Sequence, residues 1–214
     1  MLKRIKLKNS TLILTGLIII SIGICIGLYE YFEERKNKTF SDMNILLYES
    51  EMPENIIEEN TTQITDSEEE VSEENTNDNE ISFTYYGILE IPKINLKRGF
   101  FNIDSKYNNV DYNITVINGS TFPDEENNNL ILAAHSGDCP VCYFDKLYKL
   151  SKNDKAYIYY KNIKYEYKIV DTYEVEKDGT VAIYRDYNKN TLTLITCTRN
   201  SNTKQTVYIL ELIK

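Results

Sequence analysis

The chain holds a single histidine, His135, and four cysteines, and two of these five residues stand in matching settings. His135 closes the apolar run LILAAH and is followed by the small, turn-prone pair Ser136 and Gly137, while Cys197 closes the apolar run TLTLITC. Each position reads as the last residue of a buried strand, where the chain emerges and a side chain is held rigidly yet stays within reach. An imidazole works as acid and base near neutral pH, and a thiol beside a positive or hydrogen-bonding group becomes a nucleophile. The pair supplies the components of Cys/His nucleophilic catalysis. The plainer alternative keeps both as structural residues, a packed core thiol and a satisfied polar histidine.

The other cysteines divide in two. Cys25 lies in a long apolar run and reads as a small apolar residue there. Cys139 and Cys142 form the C-x-x-C of DCPVC, which is open to three readings: a small disulfide, a redox pair, or two metal ligands. A zinc site of Cys139, Cys142, His135 and Cys197 is chemically sensible and would turn the same residues into a structural clamp. Against it, the H-x3-C-x2-C spacing is local, whereas Cys197 must come from far along the chain. A thiol–disulfide oxidoreductase is disfavoured because no βαβ unit surrounds the C-x-x-C.

The elements that must position these residues begin near Ile81, where Tyr, Ile, Val and Leu return in short runs punctuated by Asn, Asp, Gly and Lys. Strands are expected over 85–91, 114–118, 130–135, 156–161, 163–173, 192–197 and 206–213, with a hairpin turning at Lys161 and Asn162. Only short helices fit, at 105–109 and around 143–150, where Phe144, Leu147 and Leu150 recur at i, i+3 and i+6. Many short strands at close spacing suggest an all-β closed barrel or sandwich.

Ahead of this module the chain changes character. Residues 11–29 are nineteen positions without a charge, enough to cross a hydrocarbon core of about 30 Å. Lys3, Arg4, Lys6 and Lys8 precede them and Glu30, Glu33 and Glu34 follow, so the positive-inside bias puts the amino terminus (1–10) in the cytoplasm and the remainder outside. A cleaved signal peptide is the competing reading, but the run is long for one and no A-x-A site follows. Residues 30–80 read as an acidic, disordered spacer in which MNILLY and ENIIEE are the only helix-prone pieces. No Lys or Arg occurs from Thr39 to Pro92, a stretch holding 15 of the 33 acidic residues, so the net charge of -9 belongs to the spacer. The rest carries 24 basic and 18 acidic side chains without a basic stripe, which argues against nucleic acid as a partner. The 214 residues leave room for one folded domain, 81–214.

Four segments of that domain resemble the sortases, cysteine transpeptidases of Gram-positive cell envelopes. They are GILEIPKINL (87–96), NLILAAHSG (129–137) like the segment bearing the catalytic His, YFDKLYKL (143–150), and TLTLITCT (191–198) like the family's TLxTC segment. They occur in the family's order and cover essentially all of 85–213. The resemblance implies an eight-stranded β-barrel in which Cys197 attacks the Thr carbonyl of an LPxTG-like sorting signal and holds the upstream protein as a thioester. It implies that His135 protonates the departing amine and later deprotonates the acceptor amine. The implied partners are secreted proteins with a carboxy-terminal sorting signal, a peptidoglycan precursor or other amine acceptor, and the membrane through the amino-terminal helix. Class B and class D sortases are resembled about equally.

The family's third residue is an Arg on the strand after the Cys, and here the pattern departs. In TRNSNTKQTVYILEL the Arg closest to the nucleophile is Arg199, two residues on, while Lys204 and Gln205 occupy the region where the Arg is expected. An ammonium is not an equivalent donor to a planar guanidinium. Arg199 is the candidate, with Arg98 and Arg185 as further ones and a solvated loop charge as the alternative. Some sortases bind calcium through acidic loops, but Asp124, Glu125 and Glu126 are adjacent and read better as a solvated turn, so no metal or cofactor is expected. The rival from another class is a non-catalytic, anchored extracellular β-domain with a structural Cys/His site, zinc-bound or not.

Overall fold

The computed structural model describes residues 9–50 and 84–213, so residues 1–8 of the expected basic tail, 51–80 of the expected spacer and 81–83 at the start of the folded domain lie outside the described residues. The chain divides into two compact units, 1–42 and 43–214. Helix α1 (Asn9–Ser50) supplies the described part of the first and the opening turns of the second. In the first unit its large apolar side chains, Ile13, Ile19 and Phe32 among them, are exposed, and the helix is long and apolar enough to cross a membrane.

Residues 30–50, within the stretch read as a disordered spacer, are helical through Ser50, and the helix includes the helix-prone piece MNILLY. Tertiary burial accounts for the last turns: in the second unit Ile45 and Tyr48 pack with Tyr85, Ile88 and Phe101. The Tyr48 hydroxyl donates to the Tyr159 carbonyl at 3.1 Å, and Lys97 pairs with Glu49.

The second unit is built on eight strands: β1 (Gly87–Ile91), β2 (Leu96–Phe100), β3 (Thr115–Val116), β4 (Asn129–Ala133), β5 (Lys155–Tyr160), β6 (Ile163–Glu176), β7 (Thr191–Cys197) and β8 (Lys204–Leu212). They hydrogen-bond in the order β2-β1-β5-β6-β8-β7-β4-β3. A bridge between Phe100, ending β2, and Ile114, just before β3, brings the sheet's two edges together into a nearly closed barrel. All pairings along the sheet are antiparallel except β4 with β7. The expected all-β barrel is therefore the fold.

Local chemistry explains the joints. Lys161 and Asn162 both adopt positive φ, 48° and 60°, the geometry of a tight turn whose twist matches the strands it joins. A 3-10 turn (Pro92–Ile94) links β1 to β2 and ends at Asn95 in the left-handed region. Strand β2 was not expected: LKRGF has no apolar alternation, and its identity as a strand comes from pairing along the whole of β1. Gly99 belongs there because a Cβ would fall 2.0 Å from the Tyr85 ring. The expected helix at 105–109 is a set of turns held by Ser105 and Asn102 side chains, and that at 143–150 shrinks to one 3-10 turn (Leu147–Lys149).

Strand β7 is buried on both faces. Leu192 and Leu194 point into the barrel with Leu130, Leu132, Tyr208 and Leu210. Ile195 faces outward and is buried with Ile131, Val207 and Ile209 beneath Val181 and Ile183 of the β6–β7 connection. That double burial is why β7 reads as an unbroken apolar run, as central strands covered on both sides do.

Candidate active site

The parallel pairing of β4 and β7 brings the two candidate strand ends together. Their register sets Ala133 beside Ile195, the Ala134 amide donates to the Ile195 carbonyl at 3.3 Å, and the Thr196 hydroxyl donates to the Ala134 carbonyl at 2.9 Å. Continued by two residues, that register sets His135 level with Cys197. One residue further, the Ser136 hydroxyl donates to the Cys197 carbonyl at 2.7 Å. Cys197 is the last residue of β7, as expected; His135 lies two residues beyond the end of β4 rather than within it.

Cys197 is a free, half-buried thiol on the outward face shared with Ile195. It lines a cleft of about 540 Å³ whose walls include Ser136, Asp145, Tyr148, Lys177, Arg199 and Thr206; His135 is not among the lining residues. The cross-strand partner of Cys197 on β8 is Gln205. The cation at the sulfur is Lys177, whose Nζ lies 3.7 Å from Sγ.

The His135 backbone is anchored by the amide of Phe144, which donates to its carbonyl at 3.0 Å, and Phe144 is itself buried in the core. The imidazole Nε2 lies 3.3 Å from Asp111 Oδ1. Both side chains are open to water, 40% and 70% exposed, so the contact orients the ring without locking it. Asp111 is held by its own amide donating to the Asn109 side chain.

The remaining candidates fall into place as follows. Arg199 projects from the β7–β8 turn and stacks over the Tyr148 ring, 4.2 Å from its centroid, so it is a wall of the cleft. Lys204 is drawn to Glu174 at 3.2 Å. Arg98 donates to Asn113 at 3.0 Å and to the Tyr143 hydroxyl at 2.7 Å, a partly buried post. Burial pushes the Tyr143 phenol above its ordinary range, with Arg98 opposing. Arg185 donates to the carbonyls of Asn127, Asn128 and Lys189 and pins the β6–β7 connection. Cys139 and Cys142 are joined in a disulfide within the loop after His135, which withdraws two ligands from the zinc alternative. Asp124 pairs with Lys161 at 2.7 Å, and Glu125 accepts from the Phe122 amide, so the acidic triplet forms a turn. Among the described residues no group of three or more His, Cys, Asp or Glu is placed to hold a metal ion.

Sequence reasoning missed Lys177. It sits in EVEKDGT, one residue beyond β6, with no apolar pattern or motif around it; its position beside Cys197 depends on the strand order.

The comparisons with known proteins agree with this architecture. The family described as Sortase domain matches residues 89–212, more than half of the chain. Among solved structures, sortase C-1 from Actinomyces oris superposes with a TM-score of 0.54 at 20% identity, covering 61% of this chain and 72% of that one. A lid mutant of sortase A from Corynebacterium diphtheriae gives 0.54 at 21% identity, over 61% of this chain and 70% of that one. Sortase C from Clostridium perfringens SM101 gives 0.51 at 24% identity, over 62% and 71%. These neighbours are named as classes A and C; none is of class B or D, the classes that the motifs resemble. No curated protein matches the chain in sequence. With the family match spanning nearly the whole barrel, the chain belongs to the sortase family.

Proposed function

We propose that this chain is a membrane-anchored cysteine transpeptidase that cleaves an LPxTG-like sorting signal of secreted proteins and transfers them to an amine of the cell wall. The observation that carries the reading is the half-buried Cys197 thiol at the mouth of β7, lining a cleft and set in register with the strand end that leads to His135. In the first step Sγ attacks the Thr carbonyl carbon of the signal. The thiol proton passes to His135 as the S–C bond forms, the peptide C–N bond breaks, and the His135 imidazolium passes that proton to the departing amine. In the second step an acceptor amine attacks the thioester, an N–C bond replaces the S–C bond, and His135 takes up the amine proton.

His135 must turn from Asp111 toward the cleft for either transfer. An exposed contact of this kind is worth about 1 kcal/mol or less, so the turn costs little. Arg199, at the cleft wall, is the candidate for contact with the signal's backbone. Helix α1 serves as the single-pass anchor, with its amino terminus in the cytoplasm and the barrel outside, near the wall. Its length and apolar exposed surface support that role.

The test is intact mass of the full chain in detergent, incubated with a panel of LPxTG-like peptides beside Cys197→Ala and His135→Ala. The expected result is an adduct equal to the peptide's amino-terminal fragment in the parent protein, absent without Cys197 and strongly reduced without His135. Adduct formation that survives Cys197→Ala would refute the mechanism. No adduct with any peptide would favour a non-catalytic, anchored β-domain.

A further inference from the structure

The site has a charge that the family pattern does not account for. Directly opposite Cys197, on β8, stands Gln205, a neutral side chain. Lys204 is engaged by Glu174, Arg199 by the Tyr148 ring, and neither reaches the sulfur within hydrogen-bonding distance.

Lys177 does, and its placement is built into the fold. The β6–β8 ladder pairs Val175 with Gln205 and Glu176 with Lys204, and the Lys177 amide continues it by donating to the Thr203 carbonyl at 2.6 Å. The backbone of Lys177 is thus held independently of its side chain. Alternation along β6 gives Lys177 the face of Tyr173 and Val175, which is also the outward face of Ile195 and Cys197. From there the side chain crosses over β8 to bring Nζ within 3.7 Å of Sγ. Among the described residues no ion pair within 4.0 Å holds Lys177.

We propose that Lys177 is a catalytic residue of this chain, whose ammonium stabilises the anionic sulfur of Cys197 as it attacks and again as it leaves the thioester. The proposal rests on the transpeptidase reading for its consequence and on the Nζ–Sγ geometry for its existence. Sulfur takes on or sheds negative charge in both half-reactions, and a cation at contact distance stabilises that charge each time. Bond changes and proton transfers are those given above; Lys177 keeps its three protons throughout.

The test separates the two readings. In the full chain with Cys25→Ala, so that Cys197 is the one free thiol, the rate constants for alkylation by anionic iodoacetate and by neutral iodoacetamide are measured at low ionic strength. Variants are Lys177→Met, which keeps the stem and removes the charge, Lys177→Arg, and Lys204→Met as a control. The iodoacetate to iodoacetamide ratio is expected to fall about fivefold in Lys177→Met, to return with Lys177→Arg, to fall much less in Lys204→Met, since the Lys204 ammonium is held by Glu174, and to lose its contrast in high salt. The ratio reads the charge beside the sulfur, and acylation reads whether that charge serves the reaction. With a peptide that acylates the parent protein, Lys177→Met is expected to slow acylation about tenfold or more. An unchanged ratio, or unchanged acylation, overturns the proposal. The ratio needs no substrate, so a parent protein that forms no adduct counts against the transpeptidase reading alone.

Discussion

Replacing Ser136 by Ala removes the hydrogen bond that ties the residue after His135 to the backbone of Cys197. At 2.7 Å it has the length of a good O–H···O bond, and it is partly buried. The bond contributes about 1 kcal/mol net, and the Cys197 carbonyl, in a half-buried residue beside the cleft, regains water when the hydroxyl is lost. The melting temperature of the barrel should fall by only about 3 °C. Catalysis should suffer far more, because the bond sets how the His-bearing segment lies along the nucleophile strand. A displacement of about 1 Å in such an arrangement can cost on the order of a hundredfold. We expect acyl-enzyme formation by Ser136→Ala to slow by about ten- to a hundredfold, while alkylation of Cys197 by iodoacetamide stays within about twofold, since the sulfur's own neighbours are untouched. The assay is rapid-quench intact mass with a responsive peptide, beside calorimetry on the same preparation. Acylation within twofold of the parent at the small expected loss of stability would refute the reasoning.

Two further predictions address the frame around the site. Leu194→Ala opens a cavity at a fully buried position on the inner face of β7 and should cost about 2–5 kcal/mol, read as a drop of about 10 °C in melting temperature. The double variant Cys139→Ser/Cys142→Ser releases a crosslink that spans three residues of the loop after His135, so it should lose about 2 kcal/mol at most by loop-closure entropy. Its acylation rate should fall if the loop shapes the cleft, and unchanged turnover with unchanged melting would exclude that role.

Much of the barrel was legible in local pattern. Seven strands declared themselves by alternation or by unbroken apolar runs, with ends misplaced by at most a few residues; β6 runs past its expected end because Glu174 and Glu176 are exposed and carry no apolar signal. The exception, β2, is a charged, glycine-containing edge that is a strand because β1 offers it a full ladder. The piece MNILLY read as helix-prone, but that it continues α1 was not legible, because its last turns are covered by Tyr85, Ile88 and Phe101, residues far along the chain.

The chemistry divides along the same line. His135 and Cys197 could be singled out because a buried strand announces itself by composition and its end is a fixed point on that pattern. That the two ends lie side by side follows from the parallel pairing of β4 with β7, and that Lys177 meets the thiol follows from β8 lying between β6 and β7. Hydrophobic periodicity records which face of a strand is buried, and it contains nothing about which strand lies next to which. Neighbour relations arise from long-range backbone pairing and shared burial, so a residue such as Lys177, set in polar sequence and aimed across another strand, acquires its chemical meaning only on folding.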